Sequence, residues 1–373
     1  MTLDDRPVDA FYAAPAVGFD VRPGAILRYR STIVPALGRP HQAWQLVYST
    51  HTGRHAPIPA SGIVVAPPKP GADSAVVVYC PPFRGLGGRC APSQLFTDPR
   101  PDPDLRAVAV ALERGWIVAV PDGLCLGVTG LGPHTFLAGA DAAHIVLDLA
   151  RAARTIPDLD AAGAPCVIWG YADGGRAAVW AAESQPRYAP TLDLRGVAAG
   201  AVVTDPGSLA ARLDGGPWSG LVLAGLIGLS HAYSYLSVDR VFTGAGVAAM
   251  ANASGSDAGQ ILEGYRDQSV TAWCMRPDPW NDAQWQYVLT AESTGAQVPT
   301  VPVHLYHGRS DGLIPAEMGQ QLYAEYRLIG AEATWRDYDT GHLGAAAAGT
   351  GDALDQLTDD LNHLPGQPRR PSA

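Results

Sequence analysis

The chain has 373 residues, 47% of them hydrophobic and only 17% charged, enough to bury a sizeable core. A formal net charge of -10 excludes a nucleic-acid backbone as partner, because that affinity is built from clustered Lys and Arg. Five cysteines with no Cys-x-x-Cys spacing fit neither a disulfide-dense small domain nor a zinc site.

Residues 1–15 carry acids where a signal peptide needs a basic region, and no apolar stretch follows, so no leader is expected. Early strands are expected at Ala25–Tyr29, Ala43–Tyr48 and Gly62–Ala66, before Pro67, Pro68, Pro70 and Gly71 break the pattern. Buried-type strands follow at Ala75–Tyr79, Trp116–Val120, Cys166–Trp169, Val197–Val203 and Val301–Tyr306. Continuous apolar runs alternating with helical stretches, such as Phe136–Leu149 and Met318–Ile329, predict a doubly wound α/β fold around a mostly parallel sheet. Residues 205–295 break that rhythm, with helical stretches at Trp218–Leu236 and Val247–Tyr265 and no clear strand. They are expected to form a helical cap inserted into a core of residues 1–204 and 296–373. The apolar run Leu221 to Leu229 is far shorter than the ~20 residues of a membrane span, so no stable membrane insertion is expected. The Pro-rich end, Pro365 to Ala373, reads as frayed.

Residues 170–175 read Gly-Tyr-Ala-Asp-Gly-Gly between a strand and a helical run, the frame of a nucleophile elbow with Ala172 at the nucleophile position. Asp311 follows a later strand in His307-Gly-Arg-Ser-Asp311, and His342 follows in Asp339-Thr-Gly-His342. The order elbow, acid, histidine is that of a Ser-His-acid triad, in which the imidazole takes the nucleophile's proton and the carboxylate holds its tautomer. Alone, Asp311 would pass for a turn residue, and His307 for a histidine packed at a strand exit. His144 and His304 fall within core elements and read as structural. Nothing calls for a metal or an organic cofactor: His51 and His55 flank Gly53 in a turn, and no strand leads into Gly-x-Gly-x-x-Gly.

From about Gly24 to His342 the chain resembles the secretory lipase family of α/β-hydrolases. The segments that carry the likeness are Ala43–Thr50, Gly85-Leu-Gly-Gly-Arg-Cys-Ala-Pro-Ser93, Pro121-Asp122, Trp169–Gly175 and His307–Asp311. The resemblance implies an α/β-hydrolase fold with a helical cap, a small-molecule ester or acyl substrate, secretion, and a disulfide between Cys90 and Cys274. Without a leader in this chain, a cytoplasmic location stays open. Ala172 stands where the family has serine. The oxyanion loop reads Pro81-Pro82-Phe83-Arg84, so only Phe83 or Arg84 could give a backbone donor there, with the Asp173 N–H as the second. Pro121-Asp122-Gly123-Leu124-Cys125 also departs from the family pattern. Trp218, with Tyr171, is a candidate for lining the substrate pocket, and Arg84 for meeting an anionic group or standing solvated.

Three functions fit. The first is a serine ester hydrolase or acyltransferase inactivated by a serine-to-alanine change at 172, made in the laboratory or lost naturally. The intact acid–histidine pair favours the former origin, the altered loop the latter. The second is a natural enzyme using His342 and Asp311 in non-covalent acid–base chemistry, such as cyclisation, elimination or rearrangement. The third is a small-molecule binder without chemistry.

Overall fold

The structure, a computed structural model, describes residues 9–71, 74–87, 90–276 and 279–363. The frayed tail expected from Pro365 and the extreme N-terminus lie outside the described residues, as do Gly88 and Arg89 of the 85–93 segment. Nine strands form one sheet: β1 (Ile26–Thr32), β2 (Gln42–His51), β3 (Pro57–Ala66), β4 (Val76–Cys80), β5 (Ile117–Pro121), β6 (Cys166–Tyr171), β7 (Leu194–Gly200), β8 (Val303–Gly308) and β9 (Ala333–Tyr338). Their order is β1-β2-β3-β5-β4-β6-β7-β8-β9. β5 through β9 in this order are parallel, and β1 to β3 add an antiparallel edge. Both faces are covered because both faces of the central strands are apolar. Successive side chains of a strand point to opposite sides. Val77, Tyr79, Val167 and Trp169 therefore enter one core, while Val76, Val78, Cys166 and Ile168 enter the other.

The helices are α1 (Pro92–Leu95), α2 (Leu105–Glu113), α3 (Gly139–Ala153), α4 (Asp173–Tyr188), α5 (Pro206–Leu213), α6 (Ser219–Ala232), α7 (Gly244–Ala253), α8 (Ala258–Gly264), α9 (Ala283–Ala291), α10 (Ala316–Leu328) and α11 (His342–Asn362). α3 and α4 cover one face through Val146, Leu149, Val179 and Ala182. On the other, α2 and α11 contribute Val108, Leu112, Leu354 and Leu357. Five helices, α5 to α9, lie between β7 and β8 and share that second core through Leu223, Ile227 and Trp285. α6 is apolar around most of its circumference, with Val222 to Leu229 all buried. Among the described residues, no helix is long and apolar enough to cross a membrane.

One expected strand ends early, and two elements carry no clear sequence signal. β7 ends at Gly200, not Val203: Ala201 turns to φ 45° and its amide makes a last bond to Tyr306 O before the chain leaves the sheet. β9 is an edge strand, and its polar Ala-Thr-Trp-Arg-Asp-Tyr, mostly half-exposed, carries no buried-strand signal. α11 hides behind Gly344, Gly349 and Gly351, residues that lower helix propensity. Gly349 has a packing reason, since a Cβ there would lie 2.6 Å from the Tyr306 ring.

Candidate active site

The elbow is built by close backbone approach. β6 runs straight into α4 through Ala172, at φ 55° and ψ -115°, and the Ala172 amide donates to Gly200 O at 2.9 Å. A non-glycine residue held this way costs on the order of 1–3 kcal/mol, which the surrounding packing must offset. Gly174 makes the crossing possible: a Cβ there would sit 1.9 Å from Cys80 O, on the neighbouring strand β4. Gly174→Ala is therefore expected to destabilise the fold by about 3 kcal/mol or more, read as a lowered urea midpoint. An unchanged midpoint would mean that β4 and α4 can separate without loss.

Asp311 lies in the loop after β8. Its Oδ1 accepts the Leu313 and Ile314 amides, each at 2.9 Å, while its Oδ2 takes the proton of His342 Nδ1 at 2.7 Å. His307, fully buried, points Nε2 at Ile314 O (2.9 Å) and at Asp311 Oδ2 (3.3 Å). Two acceptors around Nε2 place that ring's proton there. Burial alone would raise the Asp311 carboxyl. Hydrogen bonds from His307, His342 and the Ile314 amide outweigh it and hold the group well below the usual carboxylate range. The Asp311 charge is thus permanent at any physiological pH, and it fixes the proton on His342 Nδ1, leaving Nε2 free to accept one.

His342 opens α11, and its carbonyl accepts the Tyr171 hydroxyl at 2.6 Å. Their rings are 5.1 Å apart. Tyr171 is absent from the cavity lining, so it touches the histidine and not the pocket. Ala172, Asp173 and His342 line one cavity of about 710 Å³, roofed by α5 and α6 through Leu209, Leu213, Leu221, Val222, Leu226 and Leu229. Trp218, just before α6, also lines it, and so does Phe83 of the loop, its ring 4.2 Å from that of Phe136 and tilted by 37°. The Phe83 amide has no backbone acceptor among the described residues. That of Asp173, at the first position of α4, has none within its helix.

Arg84 serves neither role expected of it. It is mostly buried, its guanidinium is bound by Asp102 and also by Asp104 (3.2 Å), and it does not line the cavity. The implied Cys90–Cys274 disulfide is absent. Cys90 lies against Gly85 and Ser256, where the loop bridges to Asp257, whereas Cys274 turns its thiol to Val270 O at 3.3 Å. His144 and His304 are structural. The first stacks on Tyr188 at 3.7 Å and the second bonds Asp360 at 2.9 Å.

Two buried polar clusters carried no sequence signal of their roles. Arg176 of α4 pairs with Glu292 at 2.7 Å, each about 1% exposed, joining the elbow helix to the end of α9. Asp122 accepts Ser61 Oγ and Ser93 Oγ at 2.6 Å and the Ser93 amide at 2.7 Å, tying β5 to the 85–93 loop. Burial pushes the Asp122 carboxyl up to about 6 against those hydrogen bonds. A raised native pKa means the folded chain holds the proton more tightly than the unfolded one. The linked stability is fully present below the ordinary carboxylate pKa near 3.8 and is lost as pH rises through about 6. The stability lead of the parent over Asp122→Asn should accordingly shrink between pH 4 and pH 7, by at most ~1.4 kcal/mol per pH unit. Urea unfolding across that range checks it, and a lead that grows with pH would reverse the assignment.

The profile of the secretory lipase family matches residues 100–367. The probable inactive lipase MT1628 of Mycobacterium tuberculosis is 28% identical over 94% of this chain and 81% of its own. A secreted triacylglycerol lipase of Malassezia furfur, LIP1, is 25% identical over 95% of this chain and 75% of its own. The crystal structure of Candida antarctica lipase A in its closed state superposes with a TM-score of 0.86 at 22% identity, over 97% of this chain and 87% of the other. The fold is of the α/β-hydrolase type, and the chain belongs to the secretory lipase family.

Proposed function

We propose that this chain is an ester hydrolase or acyltransferase scaffold from which the nucleophile has been removed, with Ala172 standing where the active form carries serine. The observation that carries this reading is the Asp311–His342 hydrogen bond of 2.7 Å beside a cavity whose floor includes Ala172. In the serine form His342 Nε2 would take the hydroxyl proton. The serine oxygen would attack the ester carbonyl, and the Phe83 and Asp173 amides would receive the developing oxyanion. The cavity walls are almost wholly aliphatic and aromatic, which suits an apolar acyl or alcohol part. Regain of hydrolysis in Ala172→Ser, followed with p-nitrophenyl butyrate and hexanoate, tests it.

A second reading has support of its own. The Mycobacterium relative is named as probably inactive, and Pro81 and Pro82 remove two amides from the oxyanion loop. In this reading the alanine is natural, and the cavity binds an apolar carbonyl compound beside the His342–Asp311 pair without forming an acyl-enzyme. Binding of an apolar ketone or ester to the unaltered chain, with perturbed His342 ring signals in NMR, supports it. A cavity that takes neither would sink it.

A further inference from the structure

Two residues with titratable side chains line the main cavity, His342 and Asp173. They flank the place where a nucleophile would stand. Asp173 immediately follows Ala172, and its residue lines both this cavity and a smaller one beneath the Pro81–Arg84 loop. Its carboxyl takes part in no hydrogen bond or ion pair among the described side chains, although Arg176, one turn along α4, is near enough to favour its charge. Arg176 is committed elsewhere, to Glu292 and to the carbonyls of Val203 and Leu137. The other group facing Asp173 is the Cys80 thiol of β4, pushed up first by burial and then by this carboxyl. Residue 173 is only partly buried, so a carboxyl with no protein donor beside an apolar cavity is available to a bound ligand.

We propose that Asp173 and His342 form an acid–base pair that moves a proton on an apolar carbonyl compound bound over Ala172. This rests on the non-covalent reading above and names the second group that reading needs. One member of the pair removes a hydrogen from the carbon next to the carbonyl. The C–H electron pair becomes the double bond of an enolate, whose oxygen faces the Phe83 and Asp173 amides. The enolate then takes a proton back from the pair, at the same carbon or at the far end of a conjugated system. Nothing is oxidised or reduced and no co-reactant is consumed. The methyl of Ala172 leaves room for the substrate and presents no hydroxyl that could be acylated. The pair works with one labile proton between its members, so both the doubly protonated and the fully deprotonated forms are idle.

The test is hydrogen–deuterium exchange next to the carbonyl of 4-phenylbutan-2-one in deuterated buffer, followed by proton NMR, with binding of the ketone measured separately. The parent should exchange the ketone faster than buffer, with a bell-shaped pH profile. Burial, opposed by Arg176, pushes the Asp173 carboxyl up to about 6, so one limb should fall there. Asp173→Asn should slow exchange by about 10²-fold and erase that limb, while Asp173→Glu restores part of the rate. His342→Ala should slow it comparably. Exchange no faster than buffer with the ketone bound, or an unchanged rate and pH profile in Asp173→Asn, overturns the pair. Failure of the ketone to bind overturns the reading beneath it.

Discussion

Ala172→Ser is expected to raise ester hydrolysis about 10²- to 10⁴-fold above the alanine chain. Losing a triad nucleophile costs about 10⁶ in turnover in a well-studied protease, which bounds what one hydroxyl can return. The full factor is not expected here. Pro81 and Pro82 thin the oxyanion loop, and a missing oxyanion donor costs about 10² to 10³. The remaining parts are in place: φ 55° at position 172, the His342–Asp311 bond, and an apolar cavity beside them. Serine adds one oxygen at a residue that lines the cavity and is 8% exposed, so the fold should tolerate it. Adding His342→Ala to the serine variant should return the rate to background, because no other imidazole lines the cavity. A serine variant that folds, binds ester and hydrolyses no faster than the parent would remove the nucleophile reading altogether.

What could be read from the sequence is what local backbone chemistry dictates. Gly170, Gly174 and Gly175 announce the elbow because no larger residue fits where α4 crosses β4 and β7. The all-apolar runs of β4, β5 and β6 announce a sheet covered on both faces. Residues whose role depends on partners distant in sequence were illegible or misread. Arg84 looked like a free cation until Asp102 and Asp104, about 20 residues on, fold back onto it. Tyr171 looked like a pocket residue, yet its hydroxyl crosses 171 positions to hold the His342 carbonyl. β9 escaped because an edge strand has one neighbour and no need to be apolar. The Val-Val pair at 202–203 reads as strand by composition, but it is buried after the chain has left the sheet.

Glu292→Ala should destabilise the fold by about 3–5 kcal/mol. Glu292 caps the end of α9 and is 1% exposed. Its Oε2 takes Arg176 Nη2 and the Gly139 amide, both at 2.7 Å, and its Oε1 takes the Tyr233 hydroxyl at 2.5 Å. One carboxylate thus closes a four-way junction between the elbow helix α4, the first turn of α3, the end of α6 and the end of α9. Removing it leaves the Arg176 charge buried with only carbonyl partners, and breaking a buried pair from one side is costlier than never having made it. It also strips a donor-satisfying group from the start of α3, where the helix dipole favours an anion. The double variant Arg176→Met with Glu292→Met should recover much of the loss, since well-packed apolar groups of similar size remove the stranded charge. The same comparison reads the helices between β7 and β8. Because Tyr233 and α9 lose their tether, amide hydrogen exchange in α6 and α9 should quicken in Glu292→Ala more than in β4 or β6. A uniform rise across the whole sheet would mean that α6, α9 and the sheet open as one unit.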